Sequence, residues 1–314
     1  MRDDLAGAHS RAPLPASRGY LFVALAAILW GTLGLFYRVL HDQYHFPPLA
    51  IAFLRASFTA IAFIAYSILR RPDAFRISWR DLPLFILFGL IGVAAFNFLY
   101  VQSIVTTSVT TAVVLLYTAP AFVSVIAWKF WREPLNGRRL IALTLSFSGC
   151  VLVARAYDAS ELQLNIPGLV LGVGAGFSYA LYTIFCKLAL ERYSSLTALI
   201  YAMAFGALFL APFQAVENFA PLTQQPTVWI FILGMVIGPS IGAFALYNAA
   251  LRRVPASSAS SVATLEPVMA GGLAYFVLGE RLEIAQLFGA ALVVIAAVWV
   301  RSGGADRGSS SRRK

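Results

Sequence analysis

The second half of this chain repeats the first at a single offset of 147 residues, without a gap. Five matched pairs carry the alignment: Tyr100 with Tyr247, Pro120 with Pro267, Glu133 with Glu280, Leu135 with Leu282, and Leu140 with Leu287. A repeat of this length is typical of proteins that are built from two related halves. The fold therefore has to be assembled from two copies of one unit.

The basic residues do not follow this repeat. Lys129, Arg132, Arg138 and Arg139 align with the uncharged Phe276, Gly279, Ala285 and Gln286, whereas Arg252 and Arg253 align with Val105 and Thr106. Basic residues gather on the cytoplasmic side of a membrane, so two copies placed upside down to each other need their basic ends exchanged. The pattern indicates an inverted repeat, which is an arrangement found in transporters.

The composition supports a membrane protein, because 60% of the residues are hydrophobic and only 12% are charged, about half of the charged share in soluble domains. The stretch from Leu82 to Trp128 carries no charge and is too long for one crossing of about 20 residues. It therefore predicts two helices with a polar turn near Ser103–Ser108. The whole chain predicts an all-α membrane protein with ten transmembrane helices, at 19–40, 48–69, 82–103, 108–130, 138–155, 166–188, 194–214, 226–250, 255–278 and 284–301.

Ten crossings place 20 of the 24 lysine and arginine residues on one side and three on the other, with Arg55 inside a helix. By the positive-inside rule, both termini are expected in the cytoplasm. The expected location is the inner (cell) membrane of a bacterium, which the chain crosses several times. The net charge of +10 is spread over short loops that face anionic lipid, which argues against nucleic-acid binding. The expected organisation is a disordered tail over 1–18, a five-helix repeat over 19–155, its inverted copy over 156–301 and a disordered tail over 302–314.

Several kinds of chemistry lack their motifs. The sequence contains no GxxxxGK[ST] phosphate loop, so ATP hydrolysis by this chain is excluded. His9, His41 and His45 lie in the tail or the first outer loop, and Cys150 and Cys186 are expected to be buried as small apolar residues. We therefore expect no enzyme, no cofactor, no metal site and no disulfide.

Two segments resemble the paired signature of the EamA family in the drug/metabolite transporter superfamily. They are Pro120…Glu133 and Glu266-Pro267…Gly279-Glu280-Arg281, and Trp30-Gly31-Thr32 and Arg55 fit the family as well. The resemblance covers roughly residues 19–301. It implies a ten-helix exporter of small metabolites such as amino acids, most similar to the bacterial exporters of aromatic and other apolar amino acids.

Polar and aromatic residues away from the helix ends are the candidates for a substrate-binding cavity. They are Trp30, Asn97, Tyr100, Tyr117, Thr118, Tyr179, Tyr182, Tyr247 and Asn248. Asn97 and Tyr100 are three residues apart and share one helix face, as do Tyr179 and Tyr182. Lipid-facing positions are expected at Phe63 and Phe288.

Two charged residues, Arg55 and Glu266, fall in the interior of predicted helices and not near their ends. Glu266 is included among the substrate-binding candidates, where it would bind an amine or accept a proton. The alternative is that Glu266 stays protonated, or hydrogen-bonds backbone freed by Pro267, and holds the ninth helix to the fourth. This structural role is favoured because family members with unlike substrates carry an acid here. Arg55 is assigned a structural role, snorkelling toward the interface, with a carboxylate or phosphate clamp as the alternative.

The remaining marked residues are assigned to bends and helix ends. Pro120 and Pro267 are expected to act as hinges or fixed bends. Glu133 and Glu280 are expected to cap the following short helix or to pair with a neighbouring arginine. Gly168, Gly172 and Gly176 recur at a spacing that favours close helix packing.

The sequence favours a secondary transporter that exports aromatic or other apolar amino acids by alternating access. A carrier of phosphorylated sugars or nucleotide sugars would need several cations in its cavity, and only Arg55 is present. A passive channel stays open as a further alternative. The expected partners are an amino acid and the lipid bilayer, and a monomer is compatible with the sequence.

Overall fold

The computed structural model describes residues 16–160, 162–279 and 281–310, and in those residues all regular structure is helical. The first half contains α1 Ala16–Gly31, α2 Leu33–Asp42, α3 Pro48–Arg70, α4 Leu82–Leu87, α5 Phe96–Thr106, α6 Val109–Leu116, α7 Ala119–Trp131 and α8 Gly137–Val153. The second half contains α9 Ile166–Arg192, α10 Ser195–Leu210, α11 Pro221–Gln224, α12 Val228–Met235, α13 Ala243–Leu251, α14 Ala256–Ala263, α15 Glu266–Leu278 and α16 Ile284–Ser310.

Eight helical stretches among the described residues are long and apolar enough to cross a membrane. They are Ser17–Asp42, Pro48–Arg70, Trp79–Thr106, Val109–Trp131, Ile166–Arg192, Ser195–Phe213, Val228–Leu251 and Ile284–Arg301. The two other spans expected from the sequence, 138–155 and 255–278, correspond to α8, which has 17 residues, and to the broken pair α14 and α15. The backbone of α16 continues past 301 to Ser310, into the segment expected to be a tail.

The repeat of the sequence reappears in the helix bounds. Adding 147 to the bounds of α6 and α7 gives the bounds of α14 and α15. Adding 147 to the first residue of α5 gives the first residue of α13. Arg132 after α7 and Gly279 after α15 both adopt a left-handed backbone, with φ of 52° and 69°. The same backbone path is therefore used twice, at a C-terminal cap that favours glycine.

Both helices that carry the shared prolines are broken, where the sequence predicted continuous helices over 108–130 and 255–278. A proline removes a backbone donor and its ring clashes with the carbonyl four residues earlier. Pro120 and Pro267 stand in the first turns of α7 and α15, and α6 and α14 end four residues before them, at Leu116 and Ala263. The prolines thus separate two half-helices in each repeat.

A second interruption occurs in the predicted helices 82–103 and 226–250. Phe88–Ala95 and Val236–Gly242 are wound as π-helix between α-helical turns. Such segments are rare and are frequent near functional sites. The first helix, predicted over 19–40, also divides, at Thr32, whose hydroxyl donates to Leu29 O at 2.7 Å.

The packing of the two halves is reciprocal. Helix α1 packs against α13, α14 and α15, and its counterpart α9 packs against α5, α6 and α7. Helices α3 and α10 contact each other, as do α8 and α16. Each half therefore contributes one helix that is enclosed by the third and fourth helical stretches of the other half, so a site between the halves is bordered by all of these elements.

The outer surface is apolar in many places, as a lipid-facing surface requires. Phe276 and Phe288 are exposed. Phe63, which was expected to face lipid, is instead buried in the core with Ala60 and Phe88. A helix-face argument cannot separate a position that faces lipid from one that faces the neighbouring helix.

Candidate functional site

Five polar side chains from five helices meet deep in the bundle, and we call them the polar cluster: Tyr37, Arg55, Tyr100, Tyr179 and Glu266. Each is partly accessible. Glu266 acts electrostatically on Tyr100 and Tyr179, and Arg55 acts on Tyr37, Tyr179 and Glu266. Partial accessibility at this depth means that the cluster borders an internal space.

Arg55 is held by an amide from the third helical stretch. Its Nη2 donates to Asn97 Oδ1 at 3.4 Å. The Asn97 Nδ2 in turn donates to Val93 O, at 2.7 Å, one turn earlier. This second bond fixes the amide so that its oxygen faces the guanidinium, and the remaining donors of Arg55 stay available to a ligand.

Glu266 is the first residue of α15, directly after the break. Among the described residues, its carboxylate has no hydrogen bond and no ion pair. Arg55 is the charged group that acts on it most strongly, yet the two are farther apart than the 4.0 Å of an ion pair. Of the structural roles expected from the sequence, a hydrogen bond from this side chain to freed backbone is not present among the described residues.

Aromatic rings form one wall of the space. Phe96 stacks on Tyr100, with ring centroids 6.0 Å apart, and on Tyr179, with centroids 5.3 Å apart. The wall is continuous from α5 to α9. It presents apolar faces with two hydroxyl groups at its edge, a surface that suits a ligand with an apolar body.

Trp30, Tyr182, Phe244 and Tyr247 form a second group, which we call the aromatic layer. Trp30 lies 5.1 Å from Tyr247 and 5.8 Å from Phe244 by ring centroids, and Tyr182 lies 5.5 Å from Phe244. All four are buried, Tyr247 with 2% of its surface exposed. Along α9, Tyr182 follows Tyr179 toward the end of the bundle that carries most of the basic residues, which we call the basic end.

Hydrogen bonds lock the basic-end side of this layer. Tyr247 Oη lies 2.9 Å from Thr183 Oγ1. Asn248, which is fully buried, accepts a bond from Cys186 Sγ at 3.0 Å. In this conformation these two candidates and Trp30 are enclosed in the core, whereas the polar cluster stays accessible.

The tyrosines of the layer allow a matched test of this packing. The buried Tyr182 hydroxyl has no hydrogen-bond partner among the described residues. A buried polar group without a partner destabilises the folded protein by about 1–3 kcal/mol. We expect Tyr182→Phe to raise the melting temperature of the purified protein, and Tyr247→Phe, which loses the bond to Thr183, to lower it. A fall of equal size in both variants would contradict the packing described here.

Glu133 closes the basic end. Its carboxylate accepts from the backbone N–H of Ala256 at 2.9 Å and of Ser257 at 3.2 Å, and from the Ser257 hydroxyl. Arg139 lies 3.6 Å from the carboxylate and donates to Ser258 Oγ at 2.7 Å. The expected pairing with a neighbouring arginine is thus present, but the capped helix is α14 and not the following helix α8, because the two halves meet here. Glu280 lies outside the described residues.

Two further contacts hold the same end, one within the second half and one between the halves. Lys187 Nζ donates to Leu251 O at 3.0 Å and to Val254 O at 3.2 Å, between α13 and α14. Tyr193, just after α9, donates to Asp81 Oδ2 at 2.6 Å. This bond to a carboxylate raises the pKa of Tyr193 above its usual range. The basic end is therefore held shut by bonds between the repeats.

Tyr117 and Thr118 occupy the break between α6 and α7. The Thr118 hydroxyl donates to Leu115 O at 2.6 Å and so satisfies a carbonyl freed by the break. A largely apolar cavity of about 250 Å³ lies beside them, bordered by Pro120, Ser146 and Phe147. Tyr117 also reaches the polar cluster through its interaction with Glu266 and Tyr179.

Tyr37 is the member of the polar cluster that was not expected from the sequence. It follows Trp30 by seven residues, a spacing that places both on one face of the continuous helix predicted over 19–40. That spacing is the signal that could have identified it. Of the expected lining residues, Asn97, Tyr100, Tyr117 and Tyr179 are associated with the cluster.

A bundle of membrane-length helices from two related halves, with a charged and aromatic cluster between them, has the architecture of a membrane transporter. The chain belongs to the EamA-like transporter family, which matches it twice, over residues 17–155 and 166–302. The two matches coincide with the two copies seen in the helix bounds.

Several known proteins are similar along most of the chain. An uncharacterized transporter from Archaeoglobus fulgidus is 28% identical and covers 88% of this chain and 93% of its own length. A "probable terminal-alkyne amino-acid exporter" from Streptantibioticus cattleyicolor is also 28% identical and covers 88% of this chain and 91% of its own. A solved crystal structure has a TM-score of 0.76 at 19% identity, over 93% of this chain and 98% of that one. The last likeness concerns the fold alone.

Proposed function

We propose that this membrane transporter exports small, partly apolar metabolites, and that its substrates are amino acids with aromatic or other apolar side chains. The observation that carries the proposal is the polar cluster, an accessible site deep between the repeats with an aromatic wall and opposite charges. One similar protein bears the name of an amino-acid exporter. Sugar phosphates suit the site less well, because they need several cations and the cluster contains only Arg55.

Alternating access is proposed from the difference between the two layers. The polar cluster is accessible, whereas the aromatic layer next to it is buried and the basic end is held between the repeats by Glu133 and Tyr193. In inverted-repeat carriers, rocking of one half against the other opens each side in turn. A carrier in this state has its basic end closed, and a channel would need an open path through both layers.

The membrane placement completes the proposal. We propose ten crossings, with α8 and the pair α14 and α15 added to the eight longest stretches, and with the two repeats inverted. Five crossings per repeat put both termini on the side of the basic end. The positive-inside rule makes that side the cytoplasm, in the inner membrane of a bacterium.

Variants of the aromatic wall test the proposed function. We expect Tyr100→Ala and Tyr179→Ala to weaken transport of phenylalanine in liposomes by about 10–200-fold, because each removes part of an apolar pocket. The matched control is Phe288→Ala, which truncates an exposed side chain. Transport is normalised to the amount of inserted protein. Equal losses in all three variants would place the substrate elsewhere.

A further inference from the structure

The two charges of the polar cluster are unusual because neither neutralises the other directly. An ion in a membrane interior is costly unless it is paired. Among the described residues, Glu266 has neither an ion pair nor a hydrogen bond, and Arg55 has one long bond to a neutral amide. Both groups are only partly buried, and they interact electrostatically at more than ion-pair distance, Arg55 from α3 and Glu266 from α15. The site can therefore accept one anionic group beside Arg55 and one cationic group beside Glu266.

We propose that the polar cluster binds the zwitterionic backbone of a free α-amino acid, with Arg55 on its carboxylate and Glu266 on its ammonium group. This assignment rests on the proposed function and narrows it to substrates that carry both charges on one carbon. The paired N–H donors of the guanidinium match the two oxygens of a carboxylate. The bond to Asn97 orients the guanidinium. The carboxylate of Glu266 accepts from an ammonium group that presents three donors.

The surrounding rings set the position of the side chain of the ligand. An α-amino acid keeps its ammonium nitrogen and carboxylate carbon about 2.5 Å apart, so binding both ends leaves the third substituent only the rotation about the line that joins them. Tyr100 and Tyr179 border the space beside the two charges, and Phe96 links them into one wall. An apolar side chain would lie against this wall. Monoanions and monocations would leave one protein charge without a partner, which is the basis of discrimination.

Three ligands test the assignment on the wild-type protein. They are L-phenylalanine, L-phenylalaninamide, which lacks the carboxylate, and 3-phenylpropionate, which lacks the amine. Direct binding to the purified full chain is measured by calorimetry. We expect phenylalanine to bind about 10–100-fold more tightly than either analogue, because each lost charged bond is worth that factor. Equal binding of all three would overturn the assignment without any variant.

Two variants then assign each charge to its residue. Glu266→Gln should weaken the binding of phenylalanine by about 10–100-fold. It should strengthen the binding of 3-phenylpropionate, because no carboxylate of the protein is then left without a partner. Arg55→Gln should weaken the binding of phenylalanine and strengthen the binding of the amide, because no guanidinium is then left without a partner. Glu266→Asp should recover part of the affinity. The matched controls are Glu217→Gln and Arg281→Gln, at exposed positions.

The outcomes separate this assignment from the proposed function. Complementary changes in the two variants support it. A variant that weakens the binding of phenylalanine and of both analogues equally overturns the assignment and gives that residue a packing role. The proposed function, transport of amino acids, is not contradicted by that result. If the wild-type protein neither binds nor transports phenylalanine or any other amino acid, the proposed function fails and the zwitterion site fails with it.

Discussion

Replacing Glu133 with alanine should open the basic end of the protein. The variant removes the acceptor of the Ala256 and Ser257 amides and of the Ser257 hydroxyl, and it leaves Arg139 without its carboxylate. The side chains of Glu133 and Arg139 are only 11% and 14% exposed, so water replaces little of this loss. Loss of a helix cap and of a largely buried ion-pair partner together should cost the closed state about 2–4 kcal/mol.

Native Cys186 reports this opening. It is fully buried and lies in α9 near the basic end, bonded to Asn248. We expect a maleimide to label Cys186 at least about 30-fold faster in Glu133→Ala than in the wild type, because 2 kcal/mol corresponds to that population change. Glu191→Ala is the control, since it removes one exposed bond, from Trp131 Nε1. Unchanged labelling in Glu133→Ala would show that this network does not hold the end shut.

The second large effect is expected at Gly176, where α9 crosses the break between α6 and α7. A Cβ atom there would lie 2.6 Å from Thr118 Oγ1 and 2.8 Å from Leu115 O. The carbonyl cannot rotate away as a side chain can, so the helices must separate. We expect Gly176→Ala to destabilise the protein by about 1–3 kcal/mol and to lower its melting temperature in detergent.

The matched control for this variant is Gly272→Ala in α15. A Cβ at Gly272 meets nothing within 4 Å, and alanine is favoured over glycine inside a helix by up to about 1 kcal/mol. Its melting temperature should stay level or rise. If the two variants melt alike, the close approach of α9 to the break is not a source of stability.

The sequence predicted the repeat more securely than the details of the site. Pro120, Pro267 and the glutamates after them align by position alone, and the helix bounds follow the same offset. The sequence did not predict that the prolines divide their helices. Whether a proline kinks or breaks a helix depends on partners for the freed carbonyls, and one of these partners, the Thr118 hydroxyl, is known only from the structure.

The other differences between the predicted and the observed site concern how deeply a side chain is buried and which distant residue it contacts. Periodicity placed Tyr179 and Tyr182 on one face, but it could not tell that Tyr179 would border an accessible space while Tyr182 is packed under Phe244. The partner of Glu133 in α14 is 123 residues away. A short-range pattern carries no information about such a contact, whereas the repeat showed only that the two halves must meet.

Counterflow in liposomes tests the central claim, that the site between the repeats carries amino acids by alternating access. Liposomes that contain the purified chain are loaded with unlabelled phenylalanine, and the entry of labelled phenylalanine is followed. We expect labelled phenylalanine to enter faster than into empty liposomes and its internal amount to pass through a transient maximum. The reason is that a carrier with internal phenylalanine bound changes back to the outward-open conformation and exchanges it for labelled phenylalanine. The Glu133→Ala and Tyr179→Ala chains should show a smaller acceleration. Entry that does not respond to internal phenylalanine, with the wild-type chain correctly inserted, would contradict the account.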